Sequence, residues 1–207
     1  MSENYKIDNI EVYGFMGNLG EGKNYIAEEL FLPAIQLIDN KLTIVMAFAD
    51  HFKVNAIGFN NLEYDKVFIK KDTETRNKLQ EIGTEFGRDK YGEDIWIKIV
   101  YNWMKVYASR GIRRFIITDV RFENEVNFIK QLNGIIIRVY APDRNLTKLK
   151  QESKNNQDIM NKLQNHSSEI YVKNFKGYKY FIDNRTNPCI DINIQIDIII
   201  KLEKLKI

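Results

Sequence analysis

Features that would mark a secreted, membrane-bound or nucleic-acid-binding protein are scarce in this sequence. Among 207 residues Cys189 is the only cysteine, so no disulfide can form within the chain, and we expect a reducing compartment. No run approaches the roughly 18 apolar residues of a membrane-spanning helix, and the polar start, residues 1–4, predicts no secretory signal. The net charge of +3, with both signs interspersed, is too weak to indicate a nucleic-acid-binding surface. We therefore expect a cytoplasmic protein whose partners include neither a membrane nor a nucleic acid.

The rest of the composition is typical of one globular domain. Hydrophobic residues make up 44% of the chain and charged residues 29%. A chain of 207 residues is long enough for one core and short for two, and we find no repeat and no linker between folded halves. The sequence therefore predicts a single domain over residues 1–207.

Apolar segments that suit buried strands alternate with helical patterns along the chain. This alternation predicts an α/β fold, with a mostly parallel sheet covered by helices on both faces. The expected strands are residues 10–15, 42–48, 115–119, 135–140 and 178–182. The expected helices follow the first strand and then occupy residues 50–57, 73–88, 94–108, 123–132 and 191–206, with Asp50 capping the second and Gly58 ending it.

A glycine-rich segment between the first strand and the first helix carries the clearest chemistry. Residues 17–24, here called the phosphate loop, read Gly-Asn-Leu-Gly-Glu-Gly-Lys-Asn, which matches the spacing of a phosphate-binding loop. Glycines let the backbone wrap a phosphate, and the helix N-terminus and Lys23 supply positive charge. The motif usually continues with Ser or Thr as a Mg²⁺ ligand, whereas this chain has Asn24. The alternative interpretation is a glycine-rich turn before a helix.

Charged residues cluster where the third predicted strand ends. Asp119 stands at the carboxyl end of that strand, where α/β sheets bind ligands, so we expect it to help hold Mg²⁺ or a substrate hydroxyl. Arg121 is suited to bind a phosphate through two hydrogen bonds. In the alternative interpretation, Asp119 caps the next helix and Arg121 pairs with Glu125.

A polar stripe runs along the helix predicted over residues 73–88. Its members are four residues apart and therefore share one helix face: Arg76, Gln80, Thr84 and Arg88. Gly83 and Gly87 weaken such a helix by ~1 kcal/mol each unless something packs closely against them. A ligand bound against this face would explain the two glycines. The alternative interpretation is that the stripe is a solvated polar face.

Several motifs occur in one order that resembles the deoxynucleoside monophosphate kinases of tailed phages and large DNA viruses. They are the phosphate loop, Phe48–Lys53, Leu79–Thr84, Asp94–Trp96 and Asp119–Glu125. Two later motifs, His166–Glu169 and Ile182–Asn184, resemble that family less specifically, and the resemblance spans about residues 10–200. It implies a P-loop kinase fold, a cytoplasmic location in a cell or an infected host cell, and transfer of the ATP γ-phosphate to a dNMP with Mg²⁺.

The resemblance also implies roles for individual residues. ATP would contact Gly17, Gly20, Gly22, Lys23, Asn24, Tyr25 and Asn184. The dNMP would contact Phe52, Lys53, Arg76, Gln80, Gly83, Thr84, Arg88, Trp96 and Glu125. Catalysis would depend on Lys23, Arg88, Asp119 and Arg121, with Asp119 and Asn24 as metal ligands. Lys23 would face solvent over the phosphates, and residues 143–177 would form a mobile lid carrying Arg144.

The chain departs from the family pattern at three positions. The family loop usually reads Gly-Lys-Asp-Thr, whereas residues 22–25 read Gly-Lys-Asn-Tyr, which bears on metal binding and on rate. The family proline is His51 here, and phosphoryl transfer to a phosphate needs charge neutralisation more than a base. Trp96 has two interpretations, as a wall for the base or as a core residue.

Two other functions stay open at this level. One is a related small-molecule kinase that acts on a ribonucleotide or on dephospho-coenzyme A. The other, suggested by Asn24 and Tyr25, is a nucleotide-binding protein without turnover. The sequence also leaves open the base that is accepted and whether the protein forms a homodimer.

Overall fold

Strand β1 lies at the centre of a five-stranded sheet in which every described strand pair is parallel. The computed structural model describes residues 4–69 and 72–204. Its strands are β1 (Glu11–Met16), β2 (Thr43–Met46), β3 (Arg114–Val120), β4 (Ile135–Tyr140) and β5 (Tyr180–Asp183). Their order across the sheet is β2-β3-β1-β4-β5. The prediction of five strands in a parallel sheet is confirmed.

Helices connect the strands. α1 is one helical run made of Lys23–Tyr25, Ile26–Phe31 and Leu32–Gln36. α2 is Asp50–Asn60, α3 is Asp65–Ile69, and α4 is the run Thr73–Gly83, Thr84–Arg88 and Asp89–Tyr91. The remaining helices are α5 (Ile95–Ser109), α6 (Glu123–Gln131), α7 (Pro142–Glu152), α8 (Gln157–Gln164), α9 (Ser167–Asn174) and α10 (Ile192–Lys204).

Helices cover both faces of the sheet, which explains why its strands are apolar on both sides. On one face α1 and α10 pack over alternate strand residues such as Phe15 and Ile137. On the other face α5 and α6 pack over the intervening residues, such as Met16 and Ile136. A smaller apolar cluster joins α2, α3 and α4 through Ala56, Val67 and Leu79, and it positions α4 beside the sheet.

Both ends of α2 differ from the sequence prediction. Gly58 does not end α2, which continues to Asn60 and stops where Asn61 adopts a left-handed conformation with φ of 54°. Asp50 is the first residue of α2 rather than its cap, and its carboxylate accepts the N–H of Ala47 at 2.7 Å. The end predicted for the last helix, at residue 206, lies outside the described residues.

The predicted lid over residues 143–177 folds largely as three short helices, α7, α8 and α9. They follow β4, whose carboxyl end lies at the same sheet edge as the phosphate loop, because parallel strands all end on one side. No helix within residues 4–69 and 72–204 is long and apolar enough to cross a membrane.

Candidate active site

One cavity of about 340 Å³ opens at the carboxyl ends of β1, β2 and β3. The residues around it come from the phosphate loop, the end of β3 and the segment after it, the connection between β2 and α2, and the helices α2, α4, α5, α6 and α9. Thirteen of the residues singled out from the sequence line it: Lys23, Asn24, Phe52, Lys53, Arg76, Gln80, Gly83, Thr84, Arg88, Trp96, Asp119, Arg121 and Glu125. The topology therefore brings the phosphate loop, the polar stripe and the end of β3 to one place.

The phosphate loop adopts a conformation that requires glycine at two positions. Gly20 and Gly22 have φ values of 78° and 86°, in the left-handed region that other residues rarely occupy. Gly20 is also close to α7, because a Cβ atom placed there would lie 2.5 Å from the Cβ of Lys148. At Gly17 a Cβ atom would lie 3.3 Å from the carbonyl oxygen of Val139. Gly20 and Gly22 therefore fix the path of the loop between β1 and α1.

Buried polar side chains hold the loop in shape. The carboxylate of Glu21 accepts the N–H of Asn18 at 2.6 Å and pairs with the guanidinium of Arg138. Asn184 is 1% exposed, and its Nδ2 donates to the carbonyl oxygen of Glu21 at 2.8 Å. Its Oδ1 accepts from Nη1 of Arg144 at 3.3 Å. Asn184 thus supports the loop from behind and does not line the cavity, while its predicted contact with ATP stays a prediction.

Lys23 is only 7% exposed, so the expectation that it faces solvent is wrong. Burial, together with the nearby positive charge of Arg121, lowers the pKa of Lys23 to about 7, although the carboxylates of Glu169 and Asp119 act in the opposite direction. An anionic ligand beside this amine would favour its charged form. Tyr25 is 53% exposed and is not among the residues around the cavity, and its predicted contact with ATP stays a prediction.

Asp119 fixes the connection between β2 and α2. Its two carboxylate oxygens accept the backbone N–H groups of Phe48 at 2.8 Å and Ala49 at 3.0 Å. It does not cap the following helix, since α6 has Phe122 at its N-cap position and Glu125 accepts the free N–H groups there. The alternative interpretation of Asp119 as a helix cap is therefore wrong.

The described residues offer few protein ligands for a metal ion. They contain no group of three or more His, Cys, Asp or Glu side chains arranged to hold one. Asp119 and Asn24 both line the cavity, and Nδ2 of Asn24 donates to Oγ1 of Thr118 at 3.4 Å, which leaves its oxygen for another partner. Because Mg²⁺ keeps several waters and binds through one or two protein oxygens plus phosphates, this donor set suits Mg²⁺.

The polar stripe of α4 lines the cavity, with Arg76 and Arg88 partly buried and Gln80 and Thr84 exposed. Nη2 of Arg76 donates to Glu152 of α7 at 2.8 Å, and Nη2 of Arg88 donates to Glu125 of α6 at 3.3 Å. The guanidinium of Arg88 also lies over the ring of Phe122, 4.1 Å from its centre. The Nε atoms of both arginines are buried and have no hydrogen-bond partner within the described part of the chain. Such donors suit an anionic ligand.

Trp96 supplies the close packing that Gly83 and Gly87 require, so no ligand is needed to explain them. Its indole N–H donates to the carbonyl oxygen of Gly83 at 2.8 Å. A Cβ atom on Gly87 would lie 2.2 Å from Cζ2 of Trp96. Phe52 packs against Trp96 with ring centres 5.0 Å apart and also contacts Gly83. Trp96 is therefore a core residue whose surface also forms a wall of the cavity, and its contact with a base stays a prediction.

Glu125 is nearly fully buried below the cavity. Oε2 accepts the backbone N–H groups of Arg121 at 2.7 Å and Phe122 at 3.1 Å. Burial, reinforced by the negative charge of Asp119, raises the pKa of Glu125 to about 8. The alternative interpretation, in which the Arg121 side chain pairs with Glu125, is wrong: Glu125 binds the Arg121 backbone N–H, and the guanidinium pairs with Glu169, 3.1 Å away.

The N-terminal end of α9 contributes residues to which the sequence analysis gave no role. His166 and Ser168 line the cavity. Glu169 accepts the N–H of Leu19 at 3.0 Å and the side-chain amide of Asn18 at 2.9 Å. The sequence signalled these residues only through the His166–Glu169 motif. A helix cap and a carboxylate in a polar segment have no distinctive spacing that would reveal a role. In the folded protein Glu169 contacts Leu19 of the phosphate loop, although the two residues are 150 positions apart along the chain.

Comparisons with known proteins indicate the family of this chain. The model of the deoxynucleotide monophosphate kinase family matches residues 22–174. A "putative deoxynucleotide monophosphate kinase" of Acanthamoeba polyphaga mimivirus is 26% identical over 194 residues, which cover 84% of this chain and 88% of that protein.

Two solved structures resemble the fold. Dephospho-CoA kinase from Campylobacter jejuni superposes with a TM-score of 0.50 at 19% identity, covering 96% of this chain and 100% of that one. TT1252 from Thermus thermophilus superposes with a TM-score of 0.51 at 14% identity, covering 96% and 97%. Together with the strand order, these similarities show the fold of the P-loop kinases.

Proposed function

Since this chain belongs to the deoxynucleotide monophosphate kinase family and is a phosphotransferase, we propose that it transfers the γ-phosphate of ATP to a deoxynucleoside monophosphate. The observation that carries the proposal is a shared cavity: Lys23 of the phosphate loop and the arginines of α4 line the same space of about 340 Å³. A kinase for a phosphate acceptor must bring two anions together, and a cavity lined by cations from two separate elements, the phosphate loop and α4, suits this task.

The residues divide into a donor side and an acceptor side. On the donor side the phosphate loop and Lys23 hold the ATP phosphates, through backbone N–H groups and one charge. On the acceptor side Arg76 and Arg88 hold the dNMP phosphate, because each has a buried Nε atom that no described residue binds. Arg121 lies between the two sides and stabilises charge on the transferring phosphoryl group.

Mg²⁺ would be held by Asp119, directly or through water, and by the oxygen of Asn24. When bound, it supplies charge that stabilises the phosphate oxygens. Asp119 accepts one N–H on each oxygen and retains a lone pair on each. The protein contributes the orientation of this carboxylate, which the connection between β2 and α2 keeps in place.

A coupled assay for ADP release against the four dNMPs, the corresponding NMPs and dephospho-coenzyme A tests the proposal. We expect turnover with at least one dNMP and a strict requirement for divalent metal. If an NMP or dephospho-coenzyme A is turned over faster than every dNMP, that compound is the acceptor and the proposed dNMP acceptor is wrong. Binding of ATP without turnover of any acceptor would identify a nucleotide-binding protein.

Substitution of Asn24 and Asp119 tests the metal site. Because Asn offers a neutral oxygen ligand, Asn24→Thr should change the turnover number by less than about tenfold. Asp119→Asn should reduce it considerably more, since it removes the charged ligand. A Mg²⁺ titration at saturating ATP and dNMP compares both variants with the wild type. Turnover of the wild type that persists in excess chelator would contradict the metal site.

A further inference from the structure

His166, at the N-terminal end of α9, is held by one of its two ring nitrogens. Nδ1 lies 2.8 Å from Oγ of Ser168 and accepts the backbone N–H of Ser168 at 3.3 Å. The side chain thereby serves as the N-cap of α9. No described residue forms a hydrogen bond with Nε2, although His166 lines the cavity that contains Arg88 and Arg121.

The contacts at Nδ1 favour one of the two neutral forms of the ring. The N–H of Ser168 can donate only to an unprotonated Nδ1, and the Ser168 hydroxyl can donate to the same atom, so this arrangement favours the hydrogen on Nε2. Burial and the positive charges of Arg121 and Arg88 lower the pKa of His166, although Glu169 opposes this effect. The neutral form therefore predominates at neutral pH, and Nε2–H is a donor without a described acceptor.

We propose that His166 is a further acceptor-binding residue, whose Nε2–H donates a hydrogen bond to the phosphate of the dNMP. This rests on the proposed function, since the ligand is the acceptor named there. The phosphate is favoured over the base and the sugar because the charged groups nearest His166 are Arg121, Arg88 and Glu169. A neutral donor beside two guanidinium groups adds a hydrogen bond to an anion without adding repulsion between cations.

Two amide substitutions separate this role from the capping role. Asn places its side-chain polar group near the Nδ1 position and is among the best N-cap residues, so His166→Asn keeps the cap and loses the Nε2 donor. Gln extends an amide N–H towards the Nε2 position, so His166→Gln keeps the donor and weakens the cap. If His166 binds the dNMP, His166→Asn should have the higher dNMP KM; if His166 acts only as a cap, His166→Gln should have the higher one.

Steady-state kinetics with ATP and the best dNMP provide the measurement, together with the melting temperature of each variant. We expect His166→Asn to raise the dNMP KM about tenfold, the size expected for a hydrogen bond to a charged group, with the ATP KM and melting temperature unchanged. His166→Gln should stay within about threefold of the wild-type KM. An unchanged KM in His166→Asn, or a larger KM in His166→Gln than in His166→Asn, would overturn the proposal.

Binding of the unphosphorylated deoxynucleoside, measured by calorimetry, tests whether the phosphate is the acceptor. His166→Asn should leave this affinity unchanged while it lowers the affinity for the dNMP; equal losses for both ligands would overturn the phosphate contact. Failure of the proposed function is a separate result, because it appears as absent turnover of every dNMP by the wild type. In that case dNMP affinity of the same variants still tests His166, and absence of dNMP binding by the wild type would overturn both.

Discussion

Nη1 of Arg121 lies 3.1 Å from Oε1 of Glu169, and the other oxygen of the same carboxylate accepts the N–H of Leu19 in the phosphate loop. The Glu169 carboxylate thus occupies two groups that are suited to bind phosphate, a loop N–H and a guanidinium. An N–H donated to Glu169 is not free to bind a phosphate oxygen. In the proposed function, the phosphates of ATP would therefore compete with Glu169 for Leu19 and Arg121.

From this contact we predict that Glu169→Gln binds ATP several-fold more tightly than the wild type. The substitution keeps the shape of the side chain and removes the negative charge, which at close range opposes a triphosphate by about 1 kcal/mol or more. Isothermal titration calorimetry measures the change. Glu74→Gln, an exposed residue paired with Lys78, makes the same charge change away from the site and should have no effect. Weaker binding by Glu169→Gln would mean that Glu169 supports the loop.

A second prediction concerns Lys23, whose substitution should lower turnover without lowering the melting temperature. Lys23→Met keeps the apolar stem and removes the charge, so turnover should fall by a factor of hundreds to a thousand, or ~3–4 kcal/mol. The melting temperature should not fall, because burial of this amine is unfavourable in the protein without nucleotide. Turnover and thermal unfolding of the same preparation test both parts. More than a third of wild-type turnover would show that the loop is wrongly assigned.

Two glycines in helices form a matched pair for a test of packing. A Cβ atom on Gly87 would lie 2.2 Å from Trp96, whereas one on Gly58 has no atom within 4 Å. Gly87→Ala should destabilise the protein by about 1–3 kcal/mol through overpacking and raise the dNMP KM, because α4 must shift. Gly58→Ala should stabilise it by up to ~1 kcal/mol with unchanged kinetics. Denaturant unfolding compares the two, and equal effects would contradict this account of Trp96.

The amino-terminal side of the sheet holds a buried arginine whose partners make stability depend on pH. Arg114 is fully buried and pairs with Asp39 at 2.7 Å and with Glu11 at 2.8 Å. Although burial acts to raise it, hydrogen bonds from Arg114 and Lys204 hold the pKa of Asp39 well below its ordinary value. The folded carboxylate thus binds fewer protons than the unfolded one, so its contribution is present above about pH 4 and is lost as the pH falls.

We accordingly predict that Asp39→Asn is less stable than the wild type at pH 7 and loses less stability between pH 4 and pH 2, a window set by the ordinary carboxyl pKa of about 3.9. Glu11, whose pKa is also lowered, should leave part of the acid dependence in place. Asp8→Asn is the control, because its pair with Lys6 is exposed and should contribute almost nothing. Urea unfolding at several pH values gives the comparison, and parallel pH profiles for Asp39→Asn and the wild type would contradict the prediction.

Local patterns in the sequence were sufficient for the strands, for most helices and for the phosphate loop. Apolar runs identified all five strands because both faces of a parallel sheet are buried. The four-residue spacing of the α4 stripe depends only on helix geometry, so Arg76 and Arg88 were found without any tertiary information. The end of α2 was wrong because a glycine weakens a helix by only about 1 kcal/mol and need not end it. The helix stops where Asn61 adopts the left-handed conformation.

Tertiary structure alone decided which polar groups meet and what state they adopt. Lys23 is buried, Asp119 binds the backbone of residues 48 and 49, and Asn184 supports the loop, because each partner comes from a distant segment. Glu169 and His166 acquire their places only when the start of α9 packs against the phosphate loop. Hydrogen bonding and desolvation act over a few ångströms in space, whatever the separation along the chain. The sequence by itself therefore determined the sheet, the helices and the kind of chemistry, and the folded structure decided the partner and environment of each side chain.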